Sequence, residues 1–456
     1  MDSKKGSQVS GSNSFVREQY DKLLKESKIL KQKVETLEKE NIALKNSLYN
    51  LSATYSISNN SNKHPFIFDF ENDKTDNEEL TETQSERNEE VLMEQENFKN
   101  TYHFSVKHKL KGHAGAVYTI DFSPSGDYLA SGSFDKSICI WDPYTGKKLK
   151  QMIKHTMNVT DLCWSNDSIK LISGSFDQTC KLWDIETGKM INSFDYQGFV
   201  QCVKYNPKEN NIFFSGTTKK LVVMKDIRKP TDSFIIENNS MINTIYVYND
   251  GTYVITGDSL GYIKTWDIRT GKCVNSILNE QKGQPVSHIT VSKRFLDDEE
   301  PRYLSVNSYD NIIRVYDRGF SPPSKQCKNV LSLKGYKNRN WPIKSSFNYY
   351  SIEKSGILGM PSSSDENLRA NRTEQTNFKD DKLNMSILLA TGSSDSYAYI
   401  YSLKLNQEGF VTPIQRLEGH TGIVYATSFH PSNPILATCS ADCTIRIWNS
   451  KVKNKV

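Results

Sequence analysis

The sequence lacks the features of a membrane, secreted or disulfide-stabilised protein. Its 456 residues contain no run of 18 apolar positions, and the first residues have no apolar stretch of the kind found in a secretory signal. The eight cysteines include no CxxC pair, and scattered thiols are typical of a reducing compartment rather than of a disulfide framework or a zinc cluster. We therefore expect an intracellular protein, in the nucleus or the cytoplasm, without a membrane span.

Motifs for common enzyme chemistries are also missing. The sequence has no GxSxG, no P-loop, no HExxH and no Gly-rich dinucleotide fingerprint followed by a helix. Cys439 and Cys443 are close enough to lie across a tight turn, but no His or further Cys stands at ligand spacing. The sequence predicts a protein that is not an enzyme and that uses no cofactor and no metal.

Charge divides the chain into regions of different character. Residues 1–52 carry a net charge of +3, residues 53–100 carry −8 and residues 101–456 carry +10. The acidic segment is rich in Glu, Asn, Ser and Thr, which bury too little apolar surface to offset the entropy lost on ordering. We predict a disordered acidic linker over 53–100 and a disordered insertion of similar composition near 351–382. Residues 1–14 and 451–456 are predicted to be a disordered N-terminus and a short tail.

A heptad pattern runs through residues 15–52. Leucines recur at every seventh position from Leu23, and the matching a positions include Val34 and Asn41. Leu at d with Val and one Asn at a favours a parallel two-stranded coiled coil, because an Asn side chain bonds its counterpart only when the chains are aligned. The predicted dimerisation residues are Leu23, Leu30, Val34, Leu37, Asn41, Leu44, Leu48 and Leu51. The alternative is a single amphipathic helix packed on the rest of the chain.

The remainder of the chain is periodic, with a unit of about 42 residues. Three units keep the same landmarks: a His near the start, then an Asp that stands six residues before a Trp. These sets are His113, Asp135 and Trp141; His155, Asp177 and Trp183; and His420, Asp442 and Trp448. Short runs rich in Val, Ile, Phe, Tyr and Trp, separated by turn residues, predict strands in each unit. One such small sheet would expose both faces and its edges, so the units are expected to stack around an axis.

These landmarks resemble the WD40 family of β-propellers, and the resemblance covers about residues 103–450, within a propeller domain predicted over 101–450. In that family the His, a strand Ser or Thr, the Asp and the Trp form a buried hydrogen-bonded network that locks a blade, so the resemblance assigns this role to the nine residues above. In the four remaining units the position of the Trp is occupied by Lys225, Trp266, Tyr316 and Tyr401. From Trp141 to Trp448 the seven positions are separated by 42, 42, 41, 50, 85 and 47 residues. The prediction is an all-β, seven-bladed propeller, preceded by an α-helical coiled coil and an acidic linker.

Two units depart from the family pattern and two others are lengthened. Lys219 and Leu260 stand where the turn Asp is expected in units three and four, so we predict that these blades lack the lock. Residues 296–301 and the stretch near 351–382 account for the two longest steps. Each is predicted to lie between the second and third strands of its unit, counting the outer strand of the preceding blade as the first.

The first and last blades are expected to join. If each repeat begins with the outer strand of the preceding blade, residues 102–110 should pair with residues 443–449. This pairing would remove the open edges of the ring.

In the family, the residue before the turn Asp lies on the narrow face near the central channel and often contacts a bound peptide. That position holds Phe134, Phe176 and Tyr309, and Trp341 is predicted to reach the same rim. Aromatic side chains there can hold an extended segment or a cationic group.

We therefore predict a non-catalytic scaffold that dimerises through its coiled coil and binds peptide segments of partner proteins within a multiprotein complex. The alternative is a nucleic-acid-associated subunit of a chromatin or RNA-processing complex, because the repeat region carries a surplus of +10. Under the scaffold hypothesis, the protein associates with nucleic acid only indirectly, through other subunits, and no membrane partner is expected.

Overall fold

The computed structural model describes Gln32 and residues 102–292, 300–318, 327–351, 385–403 and 409–452. The chain divides into residues 1–80 and 81–456, and every described residue except Gln32 belongs to the second unit. The N-terminus, the predicted coiled coil, the acidic linker and nearly all of the insertion lie outside the described residues, as do the last four residues of the tail. No helix in the described part of the chain has the length and apolarity to cross a membrane.

The described residues form 29 strands in seven sheets, which we number as blades 1 to 7. Blade 1 contains β2 (Val117–Phe122), β3 (Leu129–Ser133), β4 (Ser137–Trp141) and β5 (Lys148–Ile153). Blade 2 contains β6 (Val159–Trp164), β7 (Lys170–Ser175), β8 (Thr179–Asp184) and β9 (Met190–Asp195). Blade 3 contains β10 (Val200–Tyr205), β11 (Ile212–Thr217), β12 (Leu221–Asp226) and β13 (Lys229–Glu237).

Blade 4 contains β14 (Ile242–Val247), β15 (Tyr253–Asp258), β16 (Tyr262–Asp267) and β17 (Cys273–Leu278). Blade 5 contains β18 (Val286–Val291), β19 (Tyr303–Ser308), β20 (Ile313–Asp317), β21 (Lys328–Leu333) and β25 (Gly409–Val411). Blade 6 contains β22 (Ser345–Ser351), β23 (Met385–Thr391), β24 (Ala398–Leu403) and β26 (Gln415–Leu417). Blade 7 contains β27 (Val424–Phe429), β28 (Ile435–Ser440), β29 (Thr444–Val452) and β1 (Tyr102–Lys111).

The hydrophobic core lies between neighbouring blades. Every residue of β4 is buried, whereas the outermost strand β5 buries Met152 and exposes most of its other side chains. One apolar cluster joins Ile120 and Trp141 of blade 1 to Ile445 and Ile447 of blade 7. Because each blade buries its faces only against its neighbours, the ring is the stable unit.

The ring is closed, as predicted. The first strand of each blade contacts the first strand of the next, from β2 through β6, β10, β14, β18, β22 and β27 back to β2. Strand β1 pairs antiparallel with β29, with Phe104 opposite Ser450 and Leu110 opposite Ile445. The chain thus begins its propeller with the outer strand of the last blade, and no first or last sheet is left with a free face.

The two lengthened loops lie where the repeat pattern predicts, between the first and second strands of blades 5 and 6. One feature was not predicted. After β24 the chain adds β25 to the outer edge of blade 5, in parallel with β21 and with Leu331 opposite Gly409, before β26 completes blade 6. Among the described residues of the other units, no segment crosses to the neighbouring blade in this way, so the repeat pattern gave no signal for it.

Candidate functional site

The predicted His, Asp and Trp residues come together in blades 1, 2 and 7. In blade 1, Nδ1 of His113 lies 2.9 Å from Oδ2 of Asp135, and its Nε2 lies 2.8 Å from the hydroxyl of Ser131. The indole N–H of Trp141 donates to the same hydroxyl at 2.8 Å. The equivalent bonds join His155, Asp177 and Trp183 through Ser173, and His420, Asp442 and Trp448 through Thr438.

The carboxylates of these networks are fully occupied by hydrogen bonds. Burial alone would raise the pKa of Asp135, but hydrogen bonds with His113 and Ser137 outweigh it and hold this pKa well below its ordinary value. The backbone N–H groups of Ala114 and Ser137 also donate to this carboxylate, at 2.8 and 2.9 Å. The pKa values of Asp177 and Asp442 are lowered in the same way, by hydrogen bonds that outweigh the effect of burial. Groups held like this connect a turn to a strand and are poorly suited to move protons during a reaction.

Blade 4 lacks the His and turn-Asp members of the lock, as predicted, but a network of other residues, which was not predicted, takes its place. Asp258, two residues before Leu260, accepts the backbone N–H of Leu260 at 3.0 Å and the side-chain amide of Asn238 at 3.1 Å. Lys264 donates to Asn238 Oδ1 at 2.6 Å, and the indole N–H of Trp266 donates to the hydroxyl of Thr256 in β15 at 2.9 Å. Asp258 stands where blade 1 has a serine, and its longer carboxylate replaces the function of the turn Asp.

Blade 3 departs from the pattern as predicted. Tyr196, Lys219 and Lys225 occupy the His, Asp and Trp places, so the described residues of this blade cannot form the same network. In blade 5 a different pair replaces it, because the hydroxyl of Tyr316 donates to Oδ1 of Asn279 at 3.0 Å. The middle blades therefore keep the strands but use other hydrogen-bonding partners than blades 1, 2 and 7.

The predicted rim residues lie at one end of the propeller, where the first strand of each blade begins. We call this end the rim face. The backbone N–H groups of Phe134, Phe176 and Tyr309 donate to the carbonyls that precede β2, β6 and β18, at 2.8, 3.1 and 3.2 Å. These bonds place the three aromatic residues beside the mouth of the central channel.

An aromatic row crosses the rim face over blades 1, 7 and 6. The ring centroid of Phe134 lies 5.1 Å from that of Tyr118, which stacks on Tyr425 at 4.6 Å and 13°. Trp341 meets Tyr425 edge to face at 5.6 Å. Phe134, at one end of the row, is 42% exposed, whereas Tyr118 and Tyr425, in its middle, are buried. The structure thus joins Phe134 and Trp341 through two tyrosines that the sequence reasoning missed.

Phe176 and Tyr309 stand apart from the ring contacts of this row. Phe176 pairs with Phe199 of blade 3, with centroids 5.4 Å apart. Tyr309 is close enough to add to the effect of burial in raising the pKa of Tyr118. Beyond Phe199, the exposed side chains of Met241 and Leu260 extend the apolar surface over blade 4.

Charged groups line the channel behind the rim. One position is equivalent in all seven blades: it lies in the first strand of six of them and directly before β22 in blade 6. The residues at this position are Thr119, Asp161, Cys202, Thr244, His288, Lys344 and Ala426. Lys344 of blade 6 donates to Oδ1 of Asp161 in blade 2 at 2.5 Å and to the hydroxyl of Thr119 in blade 1 at 3.1 Å. Its side chain therefore links opposite parts of the ring.

Burial and charge set the ionisation of this channel. Burial raises the pKa of Asp121 to about 6, despite the opposing effect of Lys204. For Asp161, the charges of Lys344 and Lys204 outweigh burial and lower the pKa. Burial, together with the same two lysines, lowers the pKa of His288 to about 3. The backbone N–H of Ser345, in blade 6, donates to Nδ1 of His288 at 3.3 Å, as expected for a neutral ring.

The substitution His288→Gln is expected to make the propeller less sensitive to acid. A pKa of about 3 in the folded chain, below the ordinary value of 6.5, gives stability that is fully present above pH 6.5 and is lost as the pH falls toward 3. Glutamine does not titrate and keeps an acceptor for the backbone N–H. Between pH 7 and pH 4, the thermal unfolding midpoint should fall less in this variant than in the wild type.

The control is the exposed His103, changed to Gln and measured in the same way. Equal falls in the wild type and the His288→Gln variant would contradict the assignment.

Comparison with known proteins agrees with this architecture. The family model "WD domain, G-beta repeat" matches residues 104–142, 146–184 and 411–449. The WD repeat domain-containing protein 83 homolog of Dictyostelium discoideum is 25% identical over 75% of this chain and 96% of its own length. The U5 small nuclear ribonucleoprotein 40 kDa protein of the same organism is 26% identical, over 75% and 84%. Pre-mRNA-processing factor 17 of Mus musculus is 33% identical, over 46% of this chain and 36% of its own.

A solved structure shows the same fold. The β-propeller domain of Cps50 (Swd1) from Myceliophteria thermophila superposes with a TM-score of 0.58 at 18% identity, over 76% of this chain and 99% of that one. The repeat landmarks, the closed ring of seven sheets and these likenesses lead to one conclusion. Three units of the chain match the WD40 repeat, and the described residues form a seven-bladed β-propeller.

Proposed function

We propose that this protein is a non-catalytic scaffold subunit of a multiprotein complex and that its rim face binds peptide segments of partner proteins. The observation that carries the proposal is the aromatic row formed by Phe134, Tyr118, Tyr425 and Trp341. The two buried tyrosines hold the outer rings in place, so that part of each outer ring is presented to solvent at little entropic cost. Fixed aromatic side chains of this kind are common binding hot spots.

The rest of the rim face fits an extended ligand. Phe199, Met241 and Leu260 are each about 40–50% exposed, and they continue the apolar surface from blade 3 to blade 4. Clustered exposed apolar side chains mark interaction sites more often than isolated ones do. The His and Asp side chains of the blades are occupied by internal bonds, so surfaces rather than titratable groups are available for function.

The relatives support membership of a nuclear assembly. Their names include a U5 small nuclear ribonucleoprotein protein, a pre-mRNA-processing factor and, in Schizosaccharomyces pombe, the pre-mRNA-splicing factor cwf17. We extend this setting to the present chain and place it in a nuclear complex that processes RNA, in which it contacts other proteins.

Pairing of two chains through residues 15–52 would join two rim faces. Two weak sites on one dimer bind a bivalent partner more tightly than either site alone, provided that the tether spans the gap. A flexible linker of the length of residues 53–100 has a root-mean-square span of roughly 35–42 Å. The heptad leucines and Asn41 support this part of the proposal.

The test is recovery of partner proteins from a nuclear extract by the full chain. The triple variant Phe134→Ala, Phe176→Ala, Tyr309→Ala should recover its main partners at least about tenfold less well, because single aromatic anchors often contribute about 2 kcal/mol to binding. The matched control replaces Ile191, Val274 and Leu278, exposed apolar residues of the outer strands β9 and β17, with Ala. If the rim variant and the wild type retain the same proteins equally, the site assignment is wrong.

A further inference from the structure

A second surface of the propeller carries concentrated positive charge. Strand β1 exposes Lys107, Lys109 and Lys111 along the outer edge of blade 7. Three exposed lysines of blade 1 lie beside it. Lys147 is in the turn before β5, Lys148 is the first residue of β5, and Lys154 directly follows the strand. We call these six residues the lysine edge.

The two halves of the lysine edge are in contact. His108 of β1 bonds through Nε2 to the carbonyl of Tyr144 at 2.9 Å, and Nζ of Lys107 lies 6.0 Å from the centre of the Tyr144 ring. At the other end, a Cβ built on Gly112 would lie 3.5 Å from Nζ of Lys148. The lysines of both blades therefore share one continuous surface.

Acidic side chains do little to neutralise this surface. Residues 102–155 contain four aspartates and no glutamate. Asp121 faces the channel and Asp135 belongs to the network of blade 1. Asp127 is exposed in the turn before β3. Asp142 accepts the hydroxyl of Thr145 at 2.6 Å and a backbone N–H at 2.8 Å, and the charge of Lys107 contributes to lowering its pKa. Within the described part of the chain, none of the six lysines forms an ion pair.

Protection of sheet edges does not explain the charge. Lysines on an outer strand hinder pairing with another sheet, and this is their usual role at an edge. The outer strands of blades 2 and 4, Met190–Asp195 and Cys273–Leu278, contain no lysine although they occupy the same place in the fold. Each is preceded by one lysine, Lys189 or Lys272, as β5 is by Lys147, and strand β21 of blade 5 contains only one lysine, Lys328. The concentration of lysine on blades 7 and 1 is therefore not a general requirement of this propeller.

The surface also presents flat and apolar groups between the lysines. Tyr144 is 41% exposed, and Val106, Leu149 and Ile153 are exposed on the same strands. Register shifts interrupt β1 at Lys107 and β5 at Leu149. Such bulges disfavour the addition of a further peptide strand, whereas phosphates need only the side chains. An aromatic ring among lysines is the arrangement with which proteins bind single strands, by base stacking and phosphate contacts.

We propose that the lysine edge binds single-stranded nucleic acid, with phosphates on the lysines and a base on Tyr144. The surface is separate from the rim face, so this inference does not depend on the proposed scaffold function.

The first experiment measures binding of a fluorescent oligouridylate to the full chain over a range of salt concentrations. The variant Lys107→Gln, Lys109→Gln, Lys111→Gln should bind at least about tenfold more weakly at low salt. The slope of log affinity against log salt should also become shallower by about 2, since each phosphate contact on a single strand contributes about 0.7. The control variant changes Lys208, Lys272 and Lys282, exposed lysines of other blades, to Gln. Equal losses in both variants would overturn the proposal.

The second experiment tests the base contact. Tyr144→Ala should weaken oligouridylate binding about fivefold or more, whereas Tyr144→Phe should bind like the wild type because it keeps the ring. The Tyr144 hydroxyl lies 2.9 Å from Nε2 of His430, so thermal unfolding of both variants is compared to separate folding from binding. An unchanged affinity in Tyr144→Ala would contradict base stacking.

A competitor distinguishes the two kinds of polyanion. If polyglutamate of equal charge displaces the oligouridylate as well as unlabelled oligouridylate does, the surface serves an acidic protein segment and the proposal is wrong. The rim variant with Phe134, Phe176 and Tyr309 changed to Ala should bind oligouridylate like the wild type. A loss in that variant, with the lysine variant unaffected, would place the nucleic acid on the rim face instead.

Discussion

Lys344→Met is expected to lower the free energy of unfolding by about 3–5 kcal/mol, because it leaves a charged partner unpaired inside the protein. The Lys344 ammonium donates to Asp161 at 2.5 Å and to Thr119 at 3.1 Å, and both it and Asp161 are largely shielded from solvent. Methionine fills a similar volume but supplies no charge. Asp161 would then keep the backbone N–H of Val203 at 3.0 Å and the hydroxyl of Thr119 at 3.4 Å. It would lose Lys344, the larger of the two lysine charges that lower its pKa, while Lys204 remains.

A second variant separates the lost ion pair from a general disturbance of the channel. Asp161→Asn combined with Lys344→Met removes both charges and keeps an amide oxygen for the backbone N–H of Val203, so most of the lost stability should return. Lys282→Met, at an exposed position, should change stability by no more than about 0.5 kcal/mol. Urea unfolding at pH 7 gives these values. A single variant within about 1 kcal/mol of the wild type would show that Asp161 does not need this partner.

The blade count could be predicted from the sequence because strand spacing survives when signature residues are lost. Lys225, Tyr316 and Tyr401 stand in the third strands of their blades, at the same place as Trp141. A strand requires side chains that fit its buried faces, and several residue types meet that requirement. The closing strand was predictable for a similar reason, since every unit begins with an outer strand.

Replacement of one hydrogen-bonding residue by another was harder to predict. The replacement network of blade 4 was not predicted because its carboxylate, Asp258, stands two residues before the expected position at Leu260. The pattern used for prediction places the Asp six residues before the Trp, and this is only one of the positions from which a carboxylate can accept the backbone N–H groups of the turn. Asn238 and Lys264 complete the arrangement from two different segments, which a search for His and Asp passes over.

Contacts made by ring closure were not predictable from local patterns. Tyr118 and Tyr425 are 307 residues apart and stack only because blades 1 and 7 are neighbours. Lys344 and Asp161 are 183 residues apart and meet across the channel. One signal was available for the tyrosines, since each follows a valine that opens the first strand of its blade. Its meaning depended on knowing which blades are adjacent.

Removal of strand β1, which closes the ring, is expected to cause the second large loss of stability. Deletion of residues 1–101 should leave a cooperative unfolding transition, whereas deletion of residues 1–111 should abolish it. Strand β1 makes nine residue pairs with β29 and buries Phe104 and Leu110. The side chain of Gln415 in blade 6 also bonds the backbone N–H and carbonyl of Phe104, at 3.0 and 2.8 Å. Loss of two buried large side chains costs about 2–5 kcal/mol each, and a domain is typically stable by only about 5–15 kcal/mol.

Point variants within β1 test the same idea without shortening the chain. The double variant Phe104→Ala, Leu110→Ala should lower the free energy of unfolding by at least about 4 kcal/mol, while Val106→Ala, on an exposed side chain of the same strand, should change it by less than about 1 kcal/mol. Circular dichroism during heating and gel filtration report the result. If the chain without residues 1–111 melted at the wild-type midpoint as a compact species, the ring would have to close by another pairing, because β29 would otherwise present an unpaired edge and the core between blades 6 and 7 would be open to water.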